Sequence, residues 1–216
     1  MARPRNTQER RAQIVTALLT VMAKQGYERA SIVAVAAEAG LTPGLVHYHF
    51  KSKQEILLSL VVCLHEARRV ELDARLARAG DPVARLLAFV DAHLDPAADP
   101  DRAAAACWVT IGAEALRQDE VRRLFEELTR GQAGELRLLL TDALRARGRT
   151  TADVEALAAG VLAAIQGCHH LAATTPGVVP AGSPARTVRR MVMGLIDSQS
   201  SAASGRPGRS TGGKAR

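Results

Sequence analysis

Residues 31–55 read SIVAVAAEAGLTPGLVHYHFKSKQE, and three helix starts are written into them. Ser31 offers a hydroxyl to the free N–H groups of a helix that runs to Ala39, where Gly40 supplies the positive φ of a tight turn. Thr42 followed by Pro43 pairs a capping residue with the residue best tolerated at a first helical position. The third helix, Pro43 to Phe50, is barely two turns long. Ser52-Lys53-Gln54-Glu55 is a capping box that opens a longer helix to about Ala79. Two short helices joined at a glycine make a helix-turn-helix, with Val35, Ala36, Leu45, Val46 and Phe50 as its internal core.

Outward from this stretch the chain reads as helix throughout. Asn6-Thr7-Gln8-Glu9 marks a start; Ile14, Val15, Leu18, Leu19 and Met22 follow at helical spacing, and Gly26 stops the helix. Asp81-Pro82 begins a helix to about Leu94, and Pro96 and Pro100 bound a loop. Helices are expected over 101–117 and 119–147, over a stretch capped by Thr151 and ending near Ala173, and from Ala185 to about Ser200. Thr174 to Pro184, rich in proline and glycine, is a loop. No period-two alternation lasts, so the fold class is all-α with about nine helices. The expected organisation is a DNA-binding unit over 1–53, a larger helical domain over 54–200 and a disordered basic tail over 201–216.

Charge separates the same regions. Residues 1–53 hold eight Lys or Arg against three acids, and the last sixteen hold four with no acid. The 147 residues between carry 17 basic and 19 acidic side chains. Basic ends on a near-neutral body point to a polyanion partner at the ends. Three widely spaced cysteines fit reduced thiols in a cytoplasmic protein. The apolar run Ile14–Ala23 is too short to span a bilayer, and no small-residue cleavage site follows it, so neither secretion nor membrane insertion is expected. GxxxxGK[ST], GxGxxG, GxSxG and HExxH are all missing, and no acids or histidines pair for acid–base work, so no enzyme and no cofactor are expected.

A recognition helix must offer small, polar and aromatic groups to a groove and to phosphates. Thr42 supplies a hydroxyl, Gly44 leaves the backbone unshielded, and His47, Tyr48 and His49 stand beside Lys51 and Lys53. These residues also carry a resemblance. Arg11-x-x-Ile14, Gly26-Tyr27, Ser31, Ala36–Gly40, Leu41–Phe50 and Ser52-Lys53-x-Glu55-x-Leu57 resemble the N-terminal signature of the TetR family of bacterial repressors. That resemblance implies a three-helix DNA-binding domain and a larger domain that dimerises and takes an effector. It implies phosphate contacts at Thr42 and Lys53, with Pro43, Gly44 and Leu45 facing the groove and His47 or Tyr48 reaching the backbone. His47 stands where many members carry Tyr.

Trp108–Leu116 (WVTIGAEAL), Arg117-Gln118-Asp119 and the turn at Gly167 are similar to the choline-responsive BetI-like branch. That branch commonly carries an acid before this glycine, and here the residue is Gln166. An aromatic cage for a quaternary ammonium needs several rings, and residues 54–200 contain only Phe89, Trp108 and Phe125. Choline is therefore not carried over. Effector candidates are Cys63, Phe89, His93, Cys107 and Trp108, with Ile111, Glu114, Gln166, His169 and His170, where helices four to eight would enclose a cavity. Apolar stripes with interspersed Gly160, Ala164 and Gly167 on the last two helices suit a homodimer across a two-fold axis. The expected function is a repressor that binds a palindromic DNA operator and is released by a small molecule. The alternatives are a metal- or thiol-responsive regulator, drawn from Cys63, His65, Cys107 and Cys168–His170, and an architectural DNA binder without effector.

Overall fold

The computed structural model describes residues 3–95, 103–175, 177–180 and 182–202. Among them the backbone forms nine helices: α1 Arg3–Arg29, α2 Ile32–Glu38, α3 Pro43–His49, α4 Lys53–Arg78, α5 Pro82–Leu94, α6 Ala103–Ala115, α7 Asp119–Ala146, α8 Val154–Thr174 and α9 Ser183–Ser198. Capping chemistry sets several of these edges as the sequence predicts. Ser31, Thr42, Ser52 and Asp81 each accept the N–H three residues on, at 3.1, 3.3, 3.1 and 2.9 Å. The Glu55 carboxylate closes the box one residue early, accepting the Lys51 N–H at 2.8 Å.

Some expectations are corrected. Helix α1 begins at Arg3, not Asn6, with Pro4 in its first turn, where a missing N–H costs nothing. Gly26 breaks its backbone at φ 78°, yet the helix resumes to Arg29. Thr151 caps nothing: Asp153 is the N-cap of α8 without a side-chain bond, and the local hydroxyl contact is Thr150 accepting the Ala152 N–H. Leu45 is 36% exposed and leaves the small core to Val35, Ala36, Val46 and Phe50. The expected tail starts later than 201: Thr150 N–H donates to Ser200, and Ala202 N–H to Gly148, both at 2.9 Å. The rest of that tail and the loop over 96–102 lie outside the described residues.

Apolar side chains gather into two cores. The first holds α1, α2, α3 and the start of α4, and it draws in Cys107, Ile111 and Ala115 of α6 with Val121 of α7. The second unites the end of α4, α5, the later half of α7, α8 and α9. Helices α4 and α7 serve both. Helix α4 gives Ile56, Leu57, Leu60, Val61 and Leu64 to the first core and Leu72 and Leu76 to the second. Between these groups its sequence turns polar, His65-Glu66-Ala67-Arg68-Arg69-Val70-Glu71. Helix α7 does the same: buried Val121 is separated from buried Leu136, Leu139, Leu140 and Leu144 by a stretch that includes Gly131, Gln132, Gly134 and Glu135.

Burial predicts where truncation hurts. Leu140, fully enclosed, costs about 2–5 kcal/mol when replaced by alanine. Leu116→Ala, at a site 87% exposed, stays within about 0.5 kcal/mol. Urea unfolding of the two variants measures the contrast.

Candidate functional site

Helix α3 buries Val46, and Phe50 just after it, and turns the rest outward. Thr42, Pro43, Gly44, Leu45, His47 and Tyr48 are exposed, Tyr48 to 76%. A Cβ added at Gly44 would meet nothing within 4 Å, so a large surface can close on the backbone there. The Tyr48 and His49 rings meet edge to face at 5.1 Å, and His49 is half-buried. Of the eight interface residues expected from sequence, six are thus exposed, and His49 and Lys53 are partly withdrawn.

The contacts that hold the helices of this unit together come from Arg11 and Lys53, both singled out in the sequence for other reasons, and from Gln13, which was not. The Arg11 guanidinium donates to the His49 carbonyl, reaches Glu55 Oε1 at 3.4 Å and lies 3.9 Å from the Phe50 ring centroid. One side chain of α1 thereby joins the end of α3 to the start of α4. Gln13 Nε2 donates to the Ala39 carbonyl at 2.7 Å, fixing the end of α2. Lys53 performs the same task at the other end of α1: its ammonium donates to the carbonyls of Tyr27 and Glu28 at 2.9 and 3.3 Å and stands 4.2 Å over the Tyr27 ring.

Tyr27 then links this unit to the larger body. Its phenol is hydrogen-bonded to the Gln118 side chain, and Gln118 Nε2 donates to Glu114 Oε2 at 2.7 Å. Burial holds the phenol above its ordinary pKa; the Gln118 bond opposes this and the Glu114 carboxylate reinforces it. Arg117 pairs with Glu28 beside them. Glu114, expected among the effector-binding residues, is buried beside them.

The ten effector candidates divide. Cys107, Trp108 and Ile111 belong with the first core, where Trp108 packs 5.8 Å from Phe125, and Glu114 is buried on the same helix. Gln166 lines an open groove between α7 and α8. Cys63 and His170 are exposed and belong to neither. Phe89, His93 and His169 come together: the Phe89 and His93 rings stack at 4.4 Å, and His169 Nε2 donates to the His93 carbonyl at 2.7 Å. His93 also lines a cavity of about 590 Å³ walled by α4, α5 and α7, with His65, Arg68, Arg69, Glu127, Gln132 and Glu135. His65 was singled out only for a metal- or thiol-responsive reading, and Arg68, Arg69, Glu127, Gln132 and Glu135 were not singled out, although the polar break in α4 is visible in the sequence.

Within that cavity His93 Nδ1–H donates to the Phe89 carbonyl at 2.8 Å, which leaves Nε2 an unprotonated acceptor, buried and without a partner. His65 Nδ1 is likewise buried without a partner. Burial pushes the His93 imidazole down to about 3, and the Arg68 guanidinium adds to the effect. Among the described residues no three His, Cys, Asp or Glu side chains assemble as metal ligands. Burial raises the Cys168 thiol, which disfavours the reactive thiolate.

Helix α8 presents a different surface. It is long and apolar enough to cross a membrane, yet only 28% of its most apolar stretch is buried. Ala156, Gly160, Ala163, Gly167 and Leu171 lie exposed along one face of it. Met191 on α9 is 51% exposed.

Comparison with known proteins matches two family descriptions. Residues 14–60 match bacterial regulatory proteins of the tetR family, and residues 82–197 match the C-terminal region of BetI-type transcriptional repressors. The HTH-type transcriptional regulator BetI of Rhizobium meliloti (strain 1021) is 33% identical over 162 residues, covering 74% of this chain and 76% of that protein. BetI of Agrobacterium fabrum is 35% identical over 118 residues, spanning 53% of this chain and 55% of its relative. Among solved structures, a transcriptional regulator from Rhodococcus sp. Rha1 superposes with a TM-score of 0.76 at 23% identity, over 88% of this chain and 97% of that one. A regulator from Saccharomonospora viridis, crystallised with choline, gives 0.75 at 22% identity over the same shares of each chain.

The low-lying imidazole has a measurable consequence. Unfolded, His93 takes up a proton near its ordinary 6.5; folded, it resists until about 3. The unfolded state therefore binds more protons across that interval, and stability is lost as pH falls through it. His93→Gln removes this contribution, so between pH 6.5 and 4.5 the variant loses less stability than the parent. Equal slopes in urea unfolding at stepped pH would show that His93 titrates normally.

Proposed function

This chain belongs to the tetR family of bacterial regulatory proteins, and we propose that it is a homodimeric repressor that binds a palindromic operator and is released by a small-molecule effector. The unit over 1–53 reads DNA, and the domain over 54–200 dimerises and takes the effector, in the cytoplasm. The observation that carries the reading is the exposed face of α3. Thr42 through Leu45 are exposed, the rings of His47 and Tyr48 are exposed after them, and Val46, Phe50 and the Arg11 bond to the His49 carbonyl hold the helix to the rest of the unit. Thr42 and Tyr48 are assigned to phosphate oxygens, and Pro43, Gly44, Leu45 and His47 to the groove, with His49 at its edge.

Lys53 is assigned a phosphate as well. Its ammonium has three protons, and two already meet the carbonyls that end α1. The third can meet a phosphate, and the pairing then sets the recognition unit against the DNA backbone. Lys51, exposed two residues earlier, adds charge without such anchoring.

The dimer reading rests on α8. A long apolar helix with small residues along an uncovered face needs a partner, and small side chains let a second α8 approach closely. A two-fold dimer carries two α3 helices, which explains why the operator is expected to be palindromic. The same pairing covers α8 with protein, consistent with a chain that does not enter a membrane. A metal-responsive reading finds less support, given the scattered His and Cys side chains.

The main experiment is nuclease protection of the DNA upstream of the protein's own gene, with random DNA in excess. Protection of a palindrome by two protomers supports the proposal; binding no tighter than to random DNA counts against a sequence-reading repressor. Lys53→Ala is expected to weaken binding to all sequences alike and to lower the salt slope by about one. An unchanged slope removes Lys53 from the phosphate contacts. Gly167→Arg meets open space in the single chain, so its fold is expected to survive while light scattering reports a monomer. A dimer that persists would place the interface elsewhere.

A further inference from the structure

We infer that Arg11 and Glu55 are positioning residues for sequence discrimination: they hold α3 at the angle from which it reads bases, and neither is a phosphate contact. The inference rests on the DNA-reading role of α3 proposed above and adds two charged residues to which that role gives no part. Its first support is how little else fixes α3. The helix has seven residues, fewer than an isolated helix needs to hold its shape in water, and only Val46 is buried within it. Phe50 follows as a second apolar anchor. The N-terminal end is held by the Thr42 cap, whereas the C-terminal end runs straight into a three-residue link, Phe50-Lys51-Ser52, before α4 begins. Two anchors on one stripe leave the direction of that end open.

The second support is geometry at that end. Arg11 Nη1 donates to the carbonyl of His49, the last residue of α3, and Nη2 lies 3.4 Å from Glu55 Oε1. The guanidinium carbon stands 3.9 Å from the centroid of the Phe50 ring. Glu55 uses its other oxygen to accept the Lys51 N–H at 2.8 Å. The carbonyl before Phe50, the ring itself and the amide after it are thus gripped together, from α1 by Arg11 and from α4 by Glu55. A planar guanidinium with separate donors can do this. An ammonium in its place is a single point charge and cannot hold a carbonyl and a carboxylate in one fixed geometry.

The third support is charge. Glu55 offsets the Arg11 guanidinium at 3.4 Å, and an acid so placed works against a polyanion. Lys53 differs: neutral carbonyls anchor it, so its charge stays available to a phosphate. As a partly exposed pair, Arg11 and Glu55 contribute little to folding. What the pair sets is the direction in which the guanidinium points, and through the His49 carbonyl the direction of α3. Base contacts depend on that direction, whereas sequence-independent affinity depends chiefly on charge.

The test titrates the full-length protein, by fluorescence anisotropy, against a duplex carrying the protected palindrome and against a random duplex, from about 50 to 200 mM salt. Arg11→Lys, Arg11→Ala and Glu55→Gln are compared with the parent. A capping box accepts Gln as well as Glu, so α4 still starts at Ser52 in Glu55→Gln, and an oxygen remains for the Lys51 N–H. All three are expected to bind the palindrome roughly tenfold more weakly, the scale of one lost base contact. Arg11→Lys and Glu55→Gln are expected to bind random DNA at least as tightly as the parent. Arg11→Ala is expected to keep the parent's salt slope, where loss of a phosphate contact lowers it by about 0.9. A lowered slope in Arg11→Ala, or a palindrome affinity fully kept in Arg11→Lys, makes Arg11 a phosphate contact and overturns the inference. So does a Glu55→Gln variant that binds the palindrome as tightly as the parent or tighter, the result that charge alone dictates. A parent that discriminates, beside variants that discriminate equally, sinks the inference and spares the regulator. A parent that prefers no palindrome over random DNA sinks the repressor reading, and the inference falls with it.

Discussion

Helix α4 has to satisfy two apolar cores at once, and most of the architecture answers to that constraint. Its first turns bury Ile56, Leu57 and Leu60 against α1, and its last turns bury Leu72 and Leu76 beneath α5. A single rigid helix at 1.5 Å per residue cannot adjust one end without moving the other. The seven residues between, 65–71, lie where neither core closes, and there the sequence places a histidine, two arginines and two glutamates. Helix α7 crosses the same gap with glycines and polar residues. The seam between the cores is therefore wide and polar because the helices that bridge it have apolar neighbours only at their ends.

The DNA-facing unit is held by a small number of charged groups that reach across helices. Arg11 joins the end of α3 to α4, and Lys53 joins the start of α4 to the last carbonyls of α1. Each bond to a backbone carbonyl fixes an orientation that apolar packing alone leaves soft, because Val46 and Phe50 anchor α3 on one side only. Tyr27 sits at the junction, touching Lys53 above and Gln118 beside it. Through Gln118 and Glu114 the end of α6 is tied to the unit that carries α3. A change in the larger body that moves α6 or the early part of α4 has a short physical route to the recognition helix. For a ligand to use that route it must bind the two arrangements with different affinity.

Much of this was legible locally. The caps at Ser31, Thr42, Ser52 and Asp81 need only the residue and its next three neighbours, and all four hold. Asn6 and Thr151 fail for the same reason the others succeed: a capping residue states a preference, and neighbouring backbone decides whether a helix starts there. Leu45 reads as core by hydrophobicity, but a two-turn helix has room for one buried stripe, and Val46 and Phe50 occupy it. The effector candidates failed to converge because their selection rested on residue type. Which core each joins depends on the register of α4, α6 and α7 against one another, a tertiary fact that spacing along one helix does not carry. The polar break at 65–71, an interruption in an otherwise apolar period, was the local signal that pointed at the seam.

Placing a ligand in the seam differs physically from burying it inside either core. A molecule within one core replaces side-chain contacts and acts on the helices of that core. A molecule between His65 of α4, His93 of α5 and Gln132 of α7 touches the two bridging helices at the middle of their span. The first core contains α3. Arg69 is shared between Glu135 and Asp73 in this wall, and Glu127 lines it as well. Likeness to a choline-bound regulator at 22% identity extends to the path of the backbone.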